Sequence, residues 1–211
     1  MQNIIENKFS TIADYVQASV FPGLSPHLYY HNISHTMKDV LPVSVRLAEM
    51  EAVSVDDLLI LKVAVLFHDV GFIEQYFNNE SNGVEIARKI LLEFDFSHDQ
   101  ISRVGNLIMA TRVTVKDNKF KQMAGDDVLE KIICDADLDN FGRDDFFEKS
   151  DLIRAEMACF GKTMSDKDWV DYQILLLETH EFLTMSAKKM RTDGQLKNLA
   201  RLKYQHDLII T

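Results

Sequence analysis

The chain has 211 residues, a formal net charge of −10, 46% hydrophobic and 27% charged residues. This balance is typical of a globular protein with a sizeable core, and the few prolines and glycines favour helices over long loops. The acidic charge, without a basic stripe, argues against nucleic acid as a partner. Free cysteines without C-x-x-C spacing, no apolar run of ~18 residues and no signal-like N-terminus favour a cytoplasmic protein that does not contact a membrane.

Apolar residues recur at steps of three and four along most of the chain, which predicts an all-α protein with a single domain over residues 1–211. The first predicted helix covers residues 2–20 and ends before Pro22-Gly23. We expect further helices at 35–51, 54–68, 81–94, 97–108, 126–134, 143–160, 166–186 and 192–208. The best candidate for a strand is the segment 112–115, which we interpret as a loop.

Several helix ends carry recognisable signals. Ser34 is expected to cap the second helix, and Pro42 to kink or interrupt it. Ser54 caps the third helix, with Asp57 three residues on, as in a capping box. That third helix is apolar on nearly every face, which predicts that it is buried all round. Gly71 lies at or just past its end, where a helix stop is expected.

Two polar residues, His68-Asp69, directly follow the almost wholly apolar run at 58–67. Burying a charged side chain is costly unless it is paired or coordinates a metal. His35 begins another predicted helix and Asp137 follows an apolar stretch, so both are candidate partners. Imidazole and carboxylate ligands together suit a divalent ion such as Mn, Fe, Zn, Co or Ni, whereas Ca prefers oxygen ligands alone. An ion at this place could polarise a phosphoryl oxygen and activate a water molecule, so the pattern predicts hydrolysis.

Aspartates also stand at alternate positions, Asp135, Asp137 and Asp139, which is a spacing typical of calcium-binding loops. The EF-hand pattern requires a glutamate at the twelfth position, which is missing here, and Phe141-Gly142 interrupts the spacing. We therefore interpret Asp137 as a ligand of the His/Asp site.

The ordered set His35, His68-Asp69 and Asp137 resembles the HD superfamily of metal-dependent phosphohydrolases. The flanking segments are similar to the family's first, second and last motifs: Tyr30-His31-Asn32-Ile33-Ser34-His35, Leu66-Phe67-His68-Asp69-Val70-Gly71-Phe72 and Cys134-Asp135-Ala136-Asp137-Leu138-Asp139. The resemblance covers about residues 28–160, and the C-terminal helices at 165–208 are similar to those of one subgroup of predicted hydrolases. It implies an all-helical bundle in which the four matched residues bind a divalent metal.

The resemblance also bears on the number of metal ions. Members of the family with two metals carry additional histidines between the HD pair and the last aspartate, and a His-Glu pair is common after the second motif in this subgroup. Here that place reads Asn78-Asn79-Glu80-Ser81, and the other histidine of the interval is His98. We therefore expect one divalent ion, Mn, Fe, Zn, Co, Ni or Mg.

The resulting hypothesis is a phosphatase- or phosphodiesterase-type enzyme that acts on a small phosphorylated metabolite such as a nucleotide. A metal-activated water would attack phosphorus, Asp69 or Glu74 would orient or deprotonate that water, and Arg112 would neutralise the phosphoryl charge. A homodimer is compatible with the sequence. The alternative from a different class is a regulatory module that binds the metal and a nucleotide or another signal without turnover. A two-iron oxygenase ranks last, because it needs additional histidines.

Other polar residues have two interpretations each. His31 either packs at the rim of the pocket or contacts the substrate. Arg112, Lys116 and Arg143 either bind phosphate or lie on the solvated surface, and solvent is the expected surrounding of Lys116. His180 follows a run of leucines, which favours a core histidine over a metal ligand.

Overall fold

Helix α3, Val55–Phe67, lies at the centre of the computed structural model, which describes residues 2–210 and the side chains of residues 5–209. Every residue from Leu59 to Phe67 is buried. The helices packed around α3 are α1, Gln2–Ser19; α2, Leu41–Met50; α4, Glu80–Glu93; α5, His98–Ala110; and α6, Val128–Asp137. The prediction that this helix is buried all round is therefore confirmed.

A single charged residue interrupts the apolar run of α3. The Nζ of Lys62 lies 2.8 Å from Oε2 of Glu6 and 4.0 Å from the ring centroid of Phe9, both on α1. The aliphatic stem of a lysine can lie along apolar surface while its ammonium group reaches the edge of the core. Lys62 therefore joins α3 to α1 without leaving an unpaired charge inside.

The predicted starts of α3 and α5 are confirmed by their caps. The hydroxyl of Ser54 accepts a hydrogen bond from the backbone N–H of Asp57 at 3.1 Å. Ser97 and Gln100 form a reciprocal capping box, in which each side chain accepts from the other residue's backbone N–H. Both caps satisfy N–H groups that have no partner inside the helix.

The segment around His35 differs from the prediction at its start. Ser34 already has helical dihedral angles and its side chain makes no capping bond; Asn32 caps this segment instead, since its side-chain oxygen accepts from the Ser34 N–H at 2.9 Å. A π-helical turn, His35–Val40, then runs into α2, whose first turn contains Pro42. Proline has no N–H to donate and interrupts the regular hydrogen-bond ladder, and the single wider turn before it is the form in which π-helices usually occur. The predicted interruption at Pro42 is confirmed, and the predicted Ser34 cap is wrong.

The interpretation of residues 112–115 as a loop is also wrong. Strands β1, Val113–Lys116, and β2, Lys119–Gln122, form an antiparallel hairpin. The two residues between them, Asp117 and Asn118, have φ angles of 52° and 54°. Two-residue hairpin turns with positive φ match the natural twist of paired strands, and Asp and Asn tolerate them. The Asp-Asn pair between short β-prone runs was the signal for this hairpin.

The C-terminal helices are α7, Phe146–Cys159; α8, Asp166–Thr179; and α9, Met185–Ile210. The break between the last two helices falls earlier in the chain than predicted. The carboxylate of Asp135 accepts hydrogen bonds from the backbone N–H groups of Leu183 and Thr184, at 2.6 and 2.7 Å, and so anchors the connection between α8 and α9.

Short 3-10 turns complete the backbone at Phe21–Gly23, Val70–Ile73 and Asp139–Gly142. The predicted all-α class is confirmed, and the helices form one compact domain. Among residues 2–210, no helix combines the length and the apolar character needed to cross a membrane.

Gly71, in the turn after His68-Asp69, is required by close backbone packing. A Cβ atom at this position would lie 1.9 Å from the carbonyl oxygen of Asn79. We expect Gly71→Ala to lower the free energy of unfolding by about 1–3 kcal/mol, as overpacking in a dense interior does. Urea denaturation measures the change. Gly23→Ala is the control, because its nearest contact, Ile73 Cδ1, lies at an ordinary 3.4 Å; equal loss in both variants would contradict the packing argument.

Candidate metal centre

The predicted metal ligands all lie at the ends of helical elements. His35 begins the π-helical turn, His68 is the C-cap of α3, Asp69 follows it, and Asp137 is the last residue of α6. His35 and His68 are almost completely buried, and Asp69 keeps 9% of its surface exposed. Because these ends converge below one cavity, side chains far apart in sequence meet there.

The structure brings the four predicted ligands together. Candidate ligand atoms of His35, His68 and Asp69 lie within 4.8 Å of one another. Oδ1 of Asp137 lies beside this group, 3.3 Å from Nε2 of His35 and 3.6 Å from Nε2 of His68. Two imidazoles and two carboxylates are a donor set that suits a divalent transition metal.

The orientation of His68 shows that the group fits a cation. Nδ1 of His68 lies 2.8 Å from the carbonyl oxygen of Val65, so this nitrogen carries the proton and donates it. Nε2 then faces Oδ2 of Asp69 at 3.1 Å, and neither buried atom has a hydrogen-bond partner. Two electron-pair donors this close require a positive charge between them, either a second proton on the imidazole or a metal ion. A backbone carbonyl that fixes the histidine tautomer is the usual support of a metal ligand.

The electrostatics of the cluster favour such a positive charge. Burial lowers the pKa of His68, but the carboxylates of Asp69 and Asp137 outweigh it and raise this pKa well above its usual value. Burial raises the pKa of each carboxyl, and the nearby imidazoles outweigh that effect and lower it for Asp69 and Asp137. Both carboxylates are therefore ionised at neutral pH, and they attract a cation to a site with little solvent.

A second group supports the cluster and was missed in the sequence. Glu156, on α7, is completely buried, and its Oε1 lies 2.5 Å from Nδ1 of His31 and accepts from the hydroxyl of Tyr76 at 2.9 Å. Its Oε2 accepts the backbone N–H groups of Tyr30 and His31. The ring of Tyr30 in turn lies 4.4 Å from that of His35, centroid to centroid. Glu156 thus holds the segment that delivers His35, although its local sequence indicates only that it lies on a helix.

The cluster of candidate metal ligands opens into a cavity of about 420 Å³. Asp69 and Asp137 line it, together with His31, and much of the remaining wall is aromatic. Nε2 of His31 makes no hydrogen bond to any residue that the structure describes, so it is free to meet a ligand in the cavity. A concave, mostly apolar site with a few convergent polar groups is typical of a small-molecule pocket.

Two predicted catalytic residues are not brought to the cluster. Glu74 follows the 3-10 turn after Asp69, is exposed, and is not among the residues that line the cavity. Arg112 is also outside the lining set; its guanidinium lies 3.3 Å from Oε2 of Glu80 and donates to the hydroxyl of Ser81 at 2.8 Å. A surface turn points Glu74 outward, and a nearby carboxylate already neutralises Arg112.

The structure also shows the surroundings of the other cationic residues and histidines that the sequence offered as candidates. Arg143 is held by Asp39 and Asp145, at 2.9 and 2.5 Å, and so is committed to carboxylates. Lys116 is exposed, as expected. His180 is buried among aromatic rings, and burial lowers its pKa to about 4. It is a core histidine, as the sequence indicated.

The hairpin supplies a further contact to the cluster that the loop interpretation had missed. In its register, Phe120 and Gln122 share one face, and both are buried, whereas Lys121 lies on the other face and is exposed. The side-chain Nε2 of Gln122 donates to Oδ2 of Asp137 at 3.3 Å and to the carbonyl oxygen of Thr111 at 3.4 Å. Gln122 therefore orients one carboxylate of the candidate metal site.

Comparison of the chain with protein-family models, with curated proteins and with solved structures finds no match.

The contact between His31 and Glu156 makes a prediction for NMR titration. Burial lowers the pKa of His31, and the carboxylate of Glu156 outweighs it and raises the pKa to about 9. In Glu156→Gln, with a chelator present, we expect this pKa to fall by several units, because the compensating charge is gone. Glu148→Gln, an exposed change on the same helix, is the control. A native His31 that titrates near its usual value would contradict the ion pair.

The same contact affects stability in a defined direction. The pKa of His31 in the folded protein lies above its usual 6.5. The ion pair with Glu156 therefore stabilises the fold fully below pH 6.5, and this stabilisation is lost as the pH rises through about 9.

The contact between Gln122 and Asp137 predicts an effect on metal affinity. We expect Gln122→Ala to weaken binding of Mn or Zn by about 10–100-fold, the usual cost of losing a group that orients a ligand. Calorimetric titration measures the affinity. Lys121→Ala, on the opposite face of the same strand, should bind as the native chain does. Unchanged metal affinity in Gln122→Ala would show that the hairpin does not contribute to the candidate metal site.

Proposed function

We propose that the chain is a metal-dependent phosphohydrolase of the HD type that acts on a phosphate ester or anhydride of a small metabolite. The observation that carries the proposal is the approach of His68 Nε2 and Asp69 Oδ2, both buried and unpartnered, beside a cavity that Asp69 lines. His35 and Asp137 complete the donor set. These four residues, in this order along the chain, are the ones that resemble the metal-binding motifs of the HD superfamily.

One divalent ion fits the residues better than two. Among the side chains that the structure describes, the group around His35, His68 and Asp69 is the one cluster with metal-ligand spacing. Imidazole ligands favour Mn, Fe, Zn, Co or Ni over Mg, which prefers oxygen. When bound, the ion would supply Lewis-acid stabilisation of negative charge on a phosphoryl group.

His31 is the residue of this chain best placed to handle a proton. Glu156 holds its Nδ1, its Nε2 makes no hydrogen bond to a described residue, and the residue lines the cavity that Asp69 also lines. With a pKa of about 9 it carries a proton at neutral pH, so Nε2 can donate that proton to the oxygen of a leaving group. This assignment gives His31 the role of general acid at the leaving group, and the exposed Glu74 has no part in the proposed chemistry.

Positive charge for phosphate comes from a residue that the sequence did not single out. Lys162 lines the cavity, and its Nζ lies 5.2 Å from the ring centroid of Tyr172. Since Arg112 is paired with Glu80, Lys162 and His31 are the cations of the cavity wall among the described residues. They can balance the charge of a phosphoryl group beside the carboxylates.

The proposal is tested by metal content and turnover together. The purified chain, loaded with Mn, Fe, Zn, Co, Ni or Mg, is assayed for phosphate release from phosphomonoesters, phosphodiesters and anhydrides. We expect one bound ion per chain and turnover on at least one substrate class, both lost in His68→Asn. His98→Asn, at an exposed histidine, is the matched control and should retain both.

His31→Asn separates proton transfer from metal binding. It should keep the ion while kcat falls about 10²–10⁴-fold, the usual contribution of a general acid. A chain that cannot be loaded with any of these metals would refute the proposal. Thermal stabilisation by phosphorylated ligands without product formation would favour the regulatory module instead.

A further inference from the structure

Several of the polar side chains that line the cavity already have a partner inside the protein. The hydroxyl of Tyr76 donates to Oε1 of Glu156 at 2.9 Å, and that of Thr111 donates to a backbone carbonyl oxygen at 2.8 Å. Ser150 and Gln173 are hydrogen-bonded to each other. The fold itself therefore accounts for these polar groups, as it does for most buried ones.

Two buried side chains of the cavity wall, Tyr30 and Asn79, are different. The two residues are only 6% and 4% exposed, yet neither the Tyr30 hydroxyl nor the Asn79 side-chain amide bonds to any residue that the structure describes. Both groups also retain accessible surface, unlike unpartnered atoms sealed inside the protein, such as Oδ1 of Asn140. Because both residues line the cavity, these polar groups are available to a ligand that enters it.

Tyr30 touches the candidate metal cluster as well as the cavity. Its ring centroid lies 4.4 Å from that of His35, and its backbone N–H donates to Oε2 of Glu156 at 2.9 Å. Burial raises the pKa of Tyr30 well above its usual value, and the carboxylate of Asp137 raises it further. The hydroxyl therefore keeps its proton at neutral pH and can donate a hydrogen bond close to the cluster.

The side chain of Asn79 has no structural hydrogen bond to make. Asn79 is the N-cap residue of α4, a position where an asparagine side chain usually accepts from an N–H of the first turn. Here the residue already has helical dihedral angles, and its side chain makes no capping bond. Its carbonyl oxygen packs closely against Gly71, two residues after Asp69, which fixes the residue near the cluster. The amide is thus held in place by its backbone and left free.

A phosphoryl group matches these free groups. The phenolic O–H and the side-chain NH₂ are donors without charge, and an ionised phosphoryl group presents three acceptor oxygens. Hydrogen bonds to a charged oxygen are stronger than those between neutral groups. Because Asp69 and Asp137 line the same cavity and would repel an anion, donors are needed there in addition to a cation.

We propose that the hydroxyl of Tyr30 and the side-chain amide of Asn79 donate hydrogen bonds to the oxygens of a phosphoryl group bound beside the candidate metal site. The identity of this ligand rests on the proposed function, and the inference adds two substrate-binding residues to it. Inorganic phosphate is a probe that binds without turnover, so the subsite is tested separately from the enzyme.

The hydroxyl of Tyr30 is tested by calorimetric titration of the chain, loaded with Mn or Zn, with inorganic phosphate. Tyr30→Phe removes the hydroxyl alone and should weaken phosphate binding about tenfold, as the loss of one hydrogen bond to a charged group does, with metal affinity unchanged. Tyr204→Phe, at a tyrosine that is 66% exposed on α9, should bind phosphate as the native chain does. A native chain that does not bind phosphate, or equal phosphate affinity in Tyr30→Phe, would overturn the inference.

The amide of Asn79 is tested by the same titration together with urea denaturation. Asn79→Ala should weaken phosphate binding about tenfold and leave the denaturation midpoint unchanged, because no cap is lost. Asn82→Ala, in the first turn of the same helix and outside the cavity lining, is the control and should keep native phosphate affinity. Native phosphate affinity in Asn79→Ala, or a lowered midpoint beside a lowered affinity, would overturn the role of Asn79.

The subsite and the enzyme can fail separately. Phosphate binding that depends on Tyr30 and Asn79 in a chain without turnover would refute the proposed enzyme and leave the subsite standing. Turnover that is the same in Tyr30→Phe, Asn79→Ala and the native chain would do the reverse.

Discussion

The site depends on one electrostatic contact at the end of the central helix. Helix α3 is surrounded by apolar neighbours, and its C-terminal end places Nε2 of His68 3.1 Å from Oδ2 of Asp69. Because Val65 occupies the other ring nitrogen, these two electron-pair donors need a positive charge between them. His35 and Asp137, delivered by other helix ends, add further donors around the same point. The apolar packing that stabilises the fold therefore also excludes water from a site that attracts a cation.

The support of this contact comes from parts of the chain far from it in sequence. Glu156 reaches back across 125 residues to hold His31, and with it the segment that carries His35. Gln122 brings the hairpin onto Asp137. Buried carboxylates and amides are retained where their hydrogen bonds are satisfied, and here each satisfied group orients a neighbour of the cluster. The proposed chemistry and the C-terminal helices are coupled through these contacts.

Sequence patterns succeeded where the signal was local. The apolar run of α3, the caps at Ser54 and Ser97 and the interruption at Pro42 each follow from residues a few positions apart, and the structure has all of them. The predicted cap at Ser34 is wrong, because the helical segment begins earlier and Asn32 caps it. It also failed at the hairpin, because a four-residue strand is stabilised by its partner strand more than by its own propensity.

The sequence by itself determined the all-α class, the buried central helix and the ionisable pair at its end, since periodicity and burial cost act within a short stretch of chain. It also predicted which four residues meet. Only the tertiary structure decided which groups surround them: that Glu156 and Gln122 are orienting partners, that Arg112 is neutralised by Glu80, and that Trp169 lines the cavity. Those contacts join elements distant in the chain, and side-chain direction in each depends on packing that no local pattern records.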